Sequence, residues 1–429
     1  MSQTAHAELQ ALLATQRRRV VAHLARSLGL SHLALAEDAV QSAALRALEV
    51  WPAQGVPASP AGWLYRVARH KAIDALRVAG RHDTWPEDGD ATEAALPMHP
   101  SPAGRFAGEL DDEEPALLFT ACHPRVPPAS QVALALRVLT GLDHATIAAG
   151  LLCSEAALTQ RLARARELLS PETLCLPAGH ELPPRREAVL TVLALAFHAG
   201  ARARTRVDSR AQTVQGHDAT QLCWEAIRLA RALASHGTAA HPDADADALA
   251  AVLLLHGARL TGALSDAGDI VLLPGQPRDR WDAGMVRMGL AHLQRAQRAH
   301  HLSRWHLQAG IAAEHATAAD YASTDWPTIV QYYDTLVALD GSAAPRLGQA
   351  IALAEAGEPQ RALALLQALQ PDLPAALLAH LLAAQARAHE RLGDITQAKC
   401  LLLQAMAAAP HAADARALAQ RAAALDPSP

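Results

Sequence analysis

The chain has 429 residues, enough for two to four domains, with 51% hydrophobic residues, only 3% aromatic residues and a net charge of −5. Ala and Leu, strong helix formers, dominate the apolar set while strand-favouring residues are sparse, so the composition predicts an all-α fold. Five scattered cysteines without a C-x-x-C pair argue against a disulfide frame or zinc site, and no secretory leader pattern or long uncharged apolar run is seen; the expected compartment is the cytoplasm, with no membrane partner.

Residues 8–50 read as two or three helices with a break near Gly29-Leu30-Ser31. Trp51 to Pro60 holds Pro52, Gly55, Pro57 and Pro60, a density of breakers that predicts a loop. A helix over Ala61–Val78 follows. At roughly 100° per residue, Arg66, Arg69, His70, Arg77 and Arg81 share one third of its circumference, and Leu64, Val67, Ala68, Ala75 and Ala79 lie opposite. An arginine face on an apolar-backed helix suits a polyanion, and local charge, not the net value, decides such a footprint. Residues 80–110 mix acids with Gly and Pro, the composition of a flexible linker.

The block 111–170 carries a helix-turn-helix pattern. Leu142–Leu151 is the first helix, with Asp143 placed to cap it; Cys153 and Ser154 make the turn, and Ser154 caps Glu155–Leu169. Leu158, Leu162, Ala165 and Leu169 recur on one face. That leaves Thr159, Gln160, Ala163, Arg164 and Arg166 outward. Short polar and Arg side chains near the start of such a helix reach base edges in a major groove, with Arg161 and Arg166 suited to phosphates. On the residues alone, an ordinary amphipathic helix with solvated arginines remains open.

Pro171, Pro177, Pro183 and Pro184 mark the next boundary, and 185–429 is Ala/Leu-rich helix. The exception is 262–282, which contains a short strand candidate, Ile270–Leu273, between turn residues. Near the C-terminus, Ala352–Ala362 parallels Ala388–Ala398, with Gly357 and Gly393 about one tetratricopeptide period (~34 residues) apart. In that repeat Gly is expected where paired helices approach and Ala on the second helix lets them pack. The 22 histidines are dispersed and no H-E-x-x-H, P-loop or G-x-S-x-G occurs, so neither a metal site, a cofactor nor an enzyme is expected.

Ala36-Glu37-Asp38-Ala39-Val40-Gln41-Ser42-Ala43-Ala44-Leu45-Arg46-Ala47 resembles region 2.2 of a bacterial sigma factor of the extracytoplasmic-function type. Gly62–Arg77 resembles regions 2.3 and 2.4, and 130–169 resembles region 4.2. The long tail is similar to the group of these factors with a C-terminal tetratricopeptide-like extension, as are Phe119–Pro124 and the Asp/Gly loop Ser265–Asp282 ending in a Trp-Asp pair. The resemblance implies region 2 as a helical bundle over 8–82, a linker over 83–110, region 4 with its helix-turn-helix over 111–172, and a helical solenoid over 183–429.

It further implies core RNA polymerase as partner, through the β′ clamp helices and the β flap, together with promoter DNA and a protein partner of the tail. Asp38, Gln41 and Leu45 would meet the clamp helices. The 52–60 loop with Arg66, Arg69, His70, Lys71 and Arg77 would engage and open the −10 element, and Thr159, Gln160, Arg161 and Arg164 would read the −35 element. Asp266, Gly268 and Asp269 would form a regulatory loop. His70 stands where the family usually has Asn. Two other readings remain open on the residues: a helix-turn-helix regulator that does not join the polymerase, and a tetratricopeptide scaffold.

Overall fold

The computed structural model describes residues 32–78, 118–140, 144–151, 153–169, 182–204, 215–235, 243–266 and 268–425, with some positions between 20 and 28. The expected linker at 83–110, the Asp143 cap and Arg81 lie outside the described residues. Regular structure among the described residues is helical. The strand expected at Ile270–Leu273 reduces to an isolated antiparallel bridge between Leu264 and Ile270, and a short 3-10 turn begins at Leu273. Pro274 explains the difference: with no N–H to donate, it cannot extend the ladder.

Two compact units divide the chain, 1–195 and 196–429. The first contains α1 (Leu33–Gln54), α2 (Pro60–Val78), α3 (Pro128–Thr140), α4 (His144–Leu151) and α5 (Glu155–Leu168); α6 (Leu182–Arg204) runs across the boundary. α1 extends further than the breakers imply, with Pro52 inside its last turn. There the proline removes a single helical bond, and Trp51, 3% exposed, stays anchored against Trp63 with ring centres 5.3 Å apart. Gly55, at φ 85, then ends the helix, and its N–H donates to the Trp51 carbonyl at 2.9 Å. The loop is therefore 55–59. Ser59 starts α2, its Oγ accepting from the Gly62 N–H at 3.3 Å.

The second unit contains α7 (Gln215–Ser235), α8 (Ala244–Ala258), α9 (Ala283–Ala296), α10 (Arg304–Thr317), α11 (Trp326–Leu339), α12 (Ala343–Glu355), α13 (Pro359–Leu369), α14 (Leu378–Arg391), α15 (Ile395–Ala408) and α16 (Ala412–Ala423). α8 is apolar nearly all round and almost wholly buried, the mark of a central helix. α9 approaches it through Gly289, where an added Cβ would lie 2.8 Å from Leu255 Cγ. Two polar groups, Asp247 and His292, are buried in this contact. Asp247 of α8 accepts from Arg295 Nε at 3.0 Å and lies 2.7 Å from His292 Nδ1.

From α10 onward the helices pair in sequence. Leu307, Ile329, Leu353 and Ala362 share one core, and Leu382, Leu402 and Ala405 another. Ala362 and Ala398 are buried, as the repeat predicts. Gly357 and Gly393 act differently from the expectation: they sit in the turns at φ 93 and 80, and an added Cβ at either would meet nothing within 4 Å. Left-handed backbone, not close helix approach, requires glycine there. Glu355 of α12, its side chain 1% exposed, takes Arg387 and Arg391 of α14; Arg387 also reaches Glu390 at 2.8 Å, and Arg421 of α16 reaches Glu390 at 2.7 Å. Burial pushes the Glu355 carboxyl up, and the two arginines overcome this and hold it below the usual range.

Candidate polymerase and promoter interface

α1 and α2 pack through small residues. Ala36, Ala39, Val40, Ala43 and Ala47 are buried on α1, and Ala61, Leu64, Ala68 and Ala72 on α2. Val67 is half-buried and Ala75 exposed, so the buried seam of α2 ends a turn earlier than its apolar face. On the far side of α1, Asp38 and Gln41 are exposed and Leu45 is 57% exposed, all three on one face. None of their side chains has a partner among the described residues. An acid, an amide and a bare Leu form a small patch suited to another protein.

On α2, Arg66, His70 and Lys71 are exposed and Arg69 is half-buried. Arg66, Arg69 and Lys71 have no carboxylate partner among the described residues, so this side of the helix keeps its positive charge unneutralised. The Arg77 side chain lies outside the described set. Tyr65 is held in an edge-on contact with His23, ring centres 4.5 Å apart.

α3, α4 and α5 place the second set of residues. Ser154 caps α5, accepting from the Ala157 N–H at 3.2 Å. Leu158, Leu162, Ala165 and Leu169 are buried as the spacing predicts, which leaves Thr159, Gln160 and Arg164 exposed and Arg161 half-buried. The Thr159 hydroxyl donates to the Glu155 carbonyl at 2.8 Å, fixing the side chain with its lone pairs outward. Arg166 differs from the expected phosphate contact. It is half-buried, burial lowers its pKa, and the charge of Glu37 on α1 acts against that shift. Glu37 itself pairs with Arg137 of α3. Sequence reasoning missed this contact because its members are far apart in the chain and none stands out locally.

From the first turn of α3, the Gln131 amide donates back to the carbonyls of His123 at 3.1 Å and Val126 at 3.0 Å, and His123 Nδ1 accepts from the Arg125 N–H at 3.1 Å. Cys122 and His123 are both buried beside this turn.

The 262–282 loop is folded back on itself. The Ser265 N–H donates to the Asp269 carbonyl at 2.8 Å, and Gly268 takes φ 84. Arg280 clamps Asp266 with bonds of 3.0 and 3.4 Å, and Arg416 of α16 reaches Asp269 at 3.3 Å. Both acids are therefore paired with arginines, and no group of three metal-binding side chains occurs among the described residues. No helix among them is long and apolar enough to cross a membrane.

Residues 13–82, which include α1 and α2, match sigma-70 region 2. The chain carries a sigma-70 region 2 domain. It belongs to one family with the uncharacterized protein R00370 of Rhizobium meliloti, to which it is 33% identical over 392 residues, covering 90% of this chain and 88% of that one. A probable RNA polymerase sigma factor of Xanthomonas campestris pv. campestris, RfaY, is 34% identical over 146 residues, covering 33% of this chain and 35% of that protein. Residues 185–297 match a family of unknown function, DUF6596. The crystal structure of yeast Tom70 aligns at a TM-score of 0.33 and 13% identity, over 98% of this chain and 85% of that one.

Proposed function

We propose that this chain is a sigma-70-family initiation factor that carries core RNA polymerase to particular promoters, with its second unit regulating that activity. The observation that carries the reading is the pair of unpartnered faces within the region 2 match, the Asp38/Gln41/Leu45 patch of α1 and the cationic side of α2. In this reading the α1 patch binds the β′ clamp helices. Arg66, Arg69, His70, Lys71 and Arg77 hold the opened −10 strand beside the 55–59 loop, where trapping a flipped base offsets an unstacking cost of a few kcal/mol. Thr159, Gln160, Arg161 and Arg164 read the −35 element, region 4 contacts the β flap, and the protein works in the cytoplasm by binding, not by catalysis. The helical pairs of the second unit offer a surface for a protein partner, in the manner of an extracytoplasmic-function factor with a tetratricopeptide-like tail. The loop at Asp266, Gly268 and Asp269 belongs to that regulatory unit.

The deciding experiment reverses the α1 patch. The double variant D38K/Q41K is expected to lose capture of purified core polymerase while keeping wild-type helicity and promoter-fragment binding. Specific transcripts from promoters enriched by genomic binding should disappear with it. Capture at wild-type strength, or no specific transcript from the wild-type protein, would sink the proposal.

A further inference from the structure

Where the 262–282 loop meets α8 and α10, the second unit gathers more positive charge than it neutralises. The Arg278 guanidinium lies 4.0 Å from the centre of the Trp281 ring, and that of Arg259 lies 5.6 Å from it. Two cations thus share one indole. Among the described residues neither has a carboxylate within ion-pair reach. Asp320, whose charge acts on Arg278, is held instead by the Ser323 N–H, which donates to it at 2.8 Å.

Five polar atoms here are shielded from solvent and lack hydrogen-bond partners: Arg259 Nε, Arg278 Nη1 and Nη2, Trp281 Nε1 and His315 Nδ1. Burial, then the charge of Arg278, pushes Arg259 down to about 10. Burial, then both arginines, pushes His315 down to about 4. Buried donors and unpaired charge are costly to leave unanswered. Water would satisfy the donors and leave both charges in place, whereas an oxyanion answers both needs. Gly262 adds a geometric sign: a Cβ there would lie 3.2 Å from Trp281 Cδ1 and 3.3 Å from Nε1, so any larger residue would crowd the indole N–H.

We propose that Arg259, Arg278, Trp281 Nε1 and His315 form a binding site for a small oxyanionic ligand bearing a phosphate or carboxylate group. The planar guanidinium forks suit such a group, and the indole face holds them apart and oriented. Three of the four residues fall within 185–297, the segment of unknown function. Arg278 is two residues from Arg280, which clamps Asp266, so an occupied site would fix the loop on both sides of its turn. The site is independent of promoter recognition and is tested without it.

The test is a titration of full-length protein, labelled at its tryptophan indole nitrogens, with inorganic phosphate and separately with succinate, against chloride at matched ionic strength. The Trp281 resonance, assigned with W281F, is expected to shift saturably with at least one anion, and the stronger arm identifies the oxyanion. R278M should weaken that binding about ten-fold or more. G262A, which crowds the indole N–H and leaves the charges, should weaken it too, and serves if R278M fails to fold. No saturable shift at the Trp281 indole with either anion would overturn the proposal. So would wild-type affinity in folded R278M and G262A.

Discussion

Cys122 and Cys223 are thiols whose chemistry is set by burial: both are pushed up to about 12, Cys223 in spite of the nearby Arg204 charge. Cys400 is exposed. N-ethylmaleimide at mildly alkaline pH is therefore expected to label Cys400 in the native protein and spare Cys122 and Cys223 until denaturant is added, as read by peptide mass mapping. The exposed cations separate by role. Arg66→Ala should lower the slope of log affinity against log salt by about one, the loss of one phosphate contact, without changing promoter preference. Thr159→Ala and Gln160→Ala should instead alter −35 discrimination, by roughly 1–3 kcal/mol for a bidentate contact, in binding assays on base-substituted promoters. The exposure of Thr159 and Gln160 is legible in the sequence because Leu158, Leu162, Ala165 and Leu169 fix the buried face of α5. The place of Arg166 is not, since it depends on Glu37, far away in the chain and brought near only by folding.

At the scale of elements, the turns carry information that helix propensity does not. Gly357 and Gly393 each close a helical pair in left-handed backbone with open space around the missing side chain. Alanine at either position adds strain without a clash, so each substitution should cost about 1–2 kcal/mol in chemical denaturation while the helical signal is kept. Their positions are legible from the repeat; their role is not, because spacing reports where a glycine stands and not which constraint it meets. The same limit applies to Pro52 and Ile270–Leu273. A proline in the last turn of α1 is tolerated when a buried Trp51 anchors that turn. An apolar run ahead of Pro274 makes a single bridge because it has neither a neighbouring strand nor a donor to continue.

For the whole molecule, Pro183 and Pro184 lie in the first turn of α6, where a missing N–H costs nothing, and the compact units part at Leu195/Ala196 within that helix. A proline cluster that reads as a boundary is in part a helix start. The regulatory reading is tested by comparing full-length protein with a chain ending at Ser170 in promoter-specific transcription with core polymerase. Unequal activity at equal polymerase binding is the expected outcome, and identical transcription would remove the regulatory role.

Stacked helical pairs ordinarily melt from their ends, because each pair touches only its neighbours. The Glu355 cluster changes that rule for the last part of this chain. Releasing α16 takes Arg421 from Glu390, and releasing α14 takes both arginines from the carboxylate that is buried in the folded state. One ion-pair network thus joins α12, α14 and α16, and fraying inward from Ala423 must break it step by step, first at Glu390 and then at Glu355. The C-terminal helices are thereby coupled beyond their nearest neighbours in sequence.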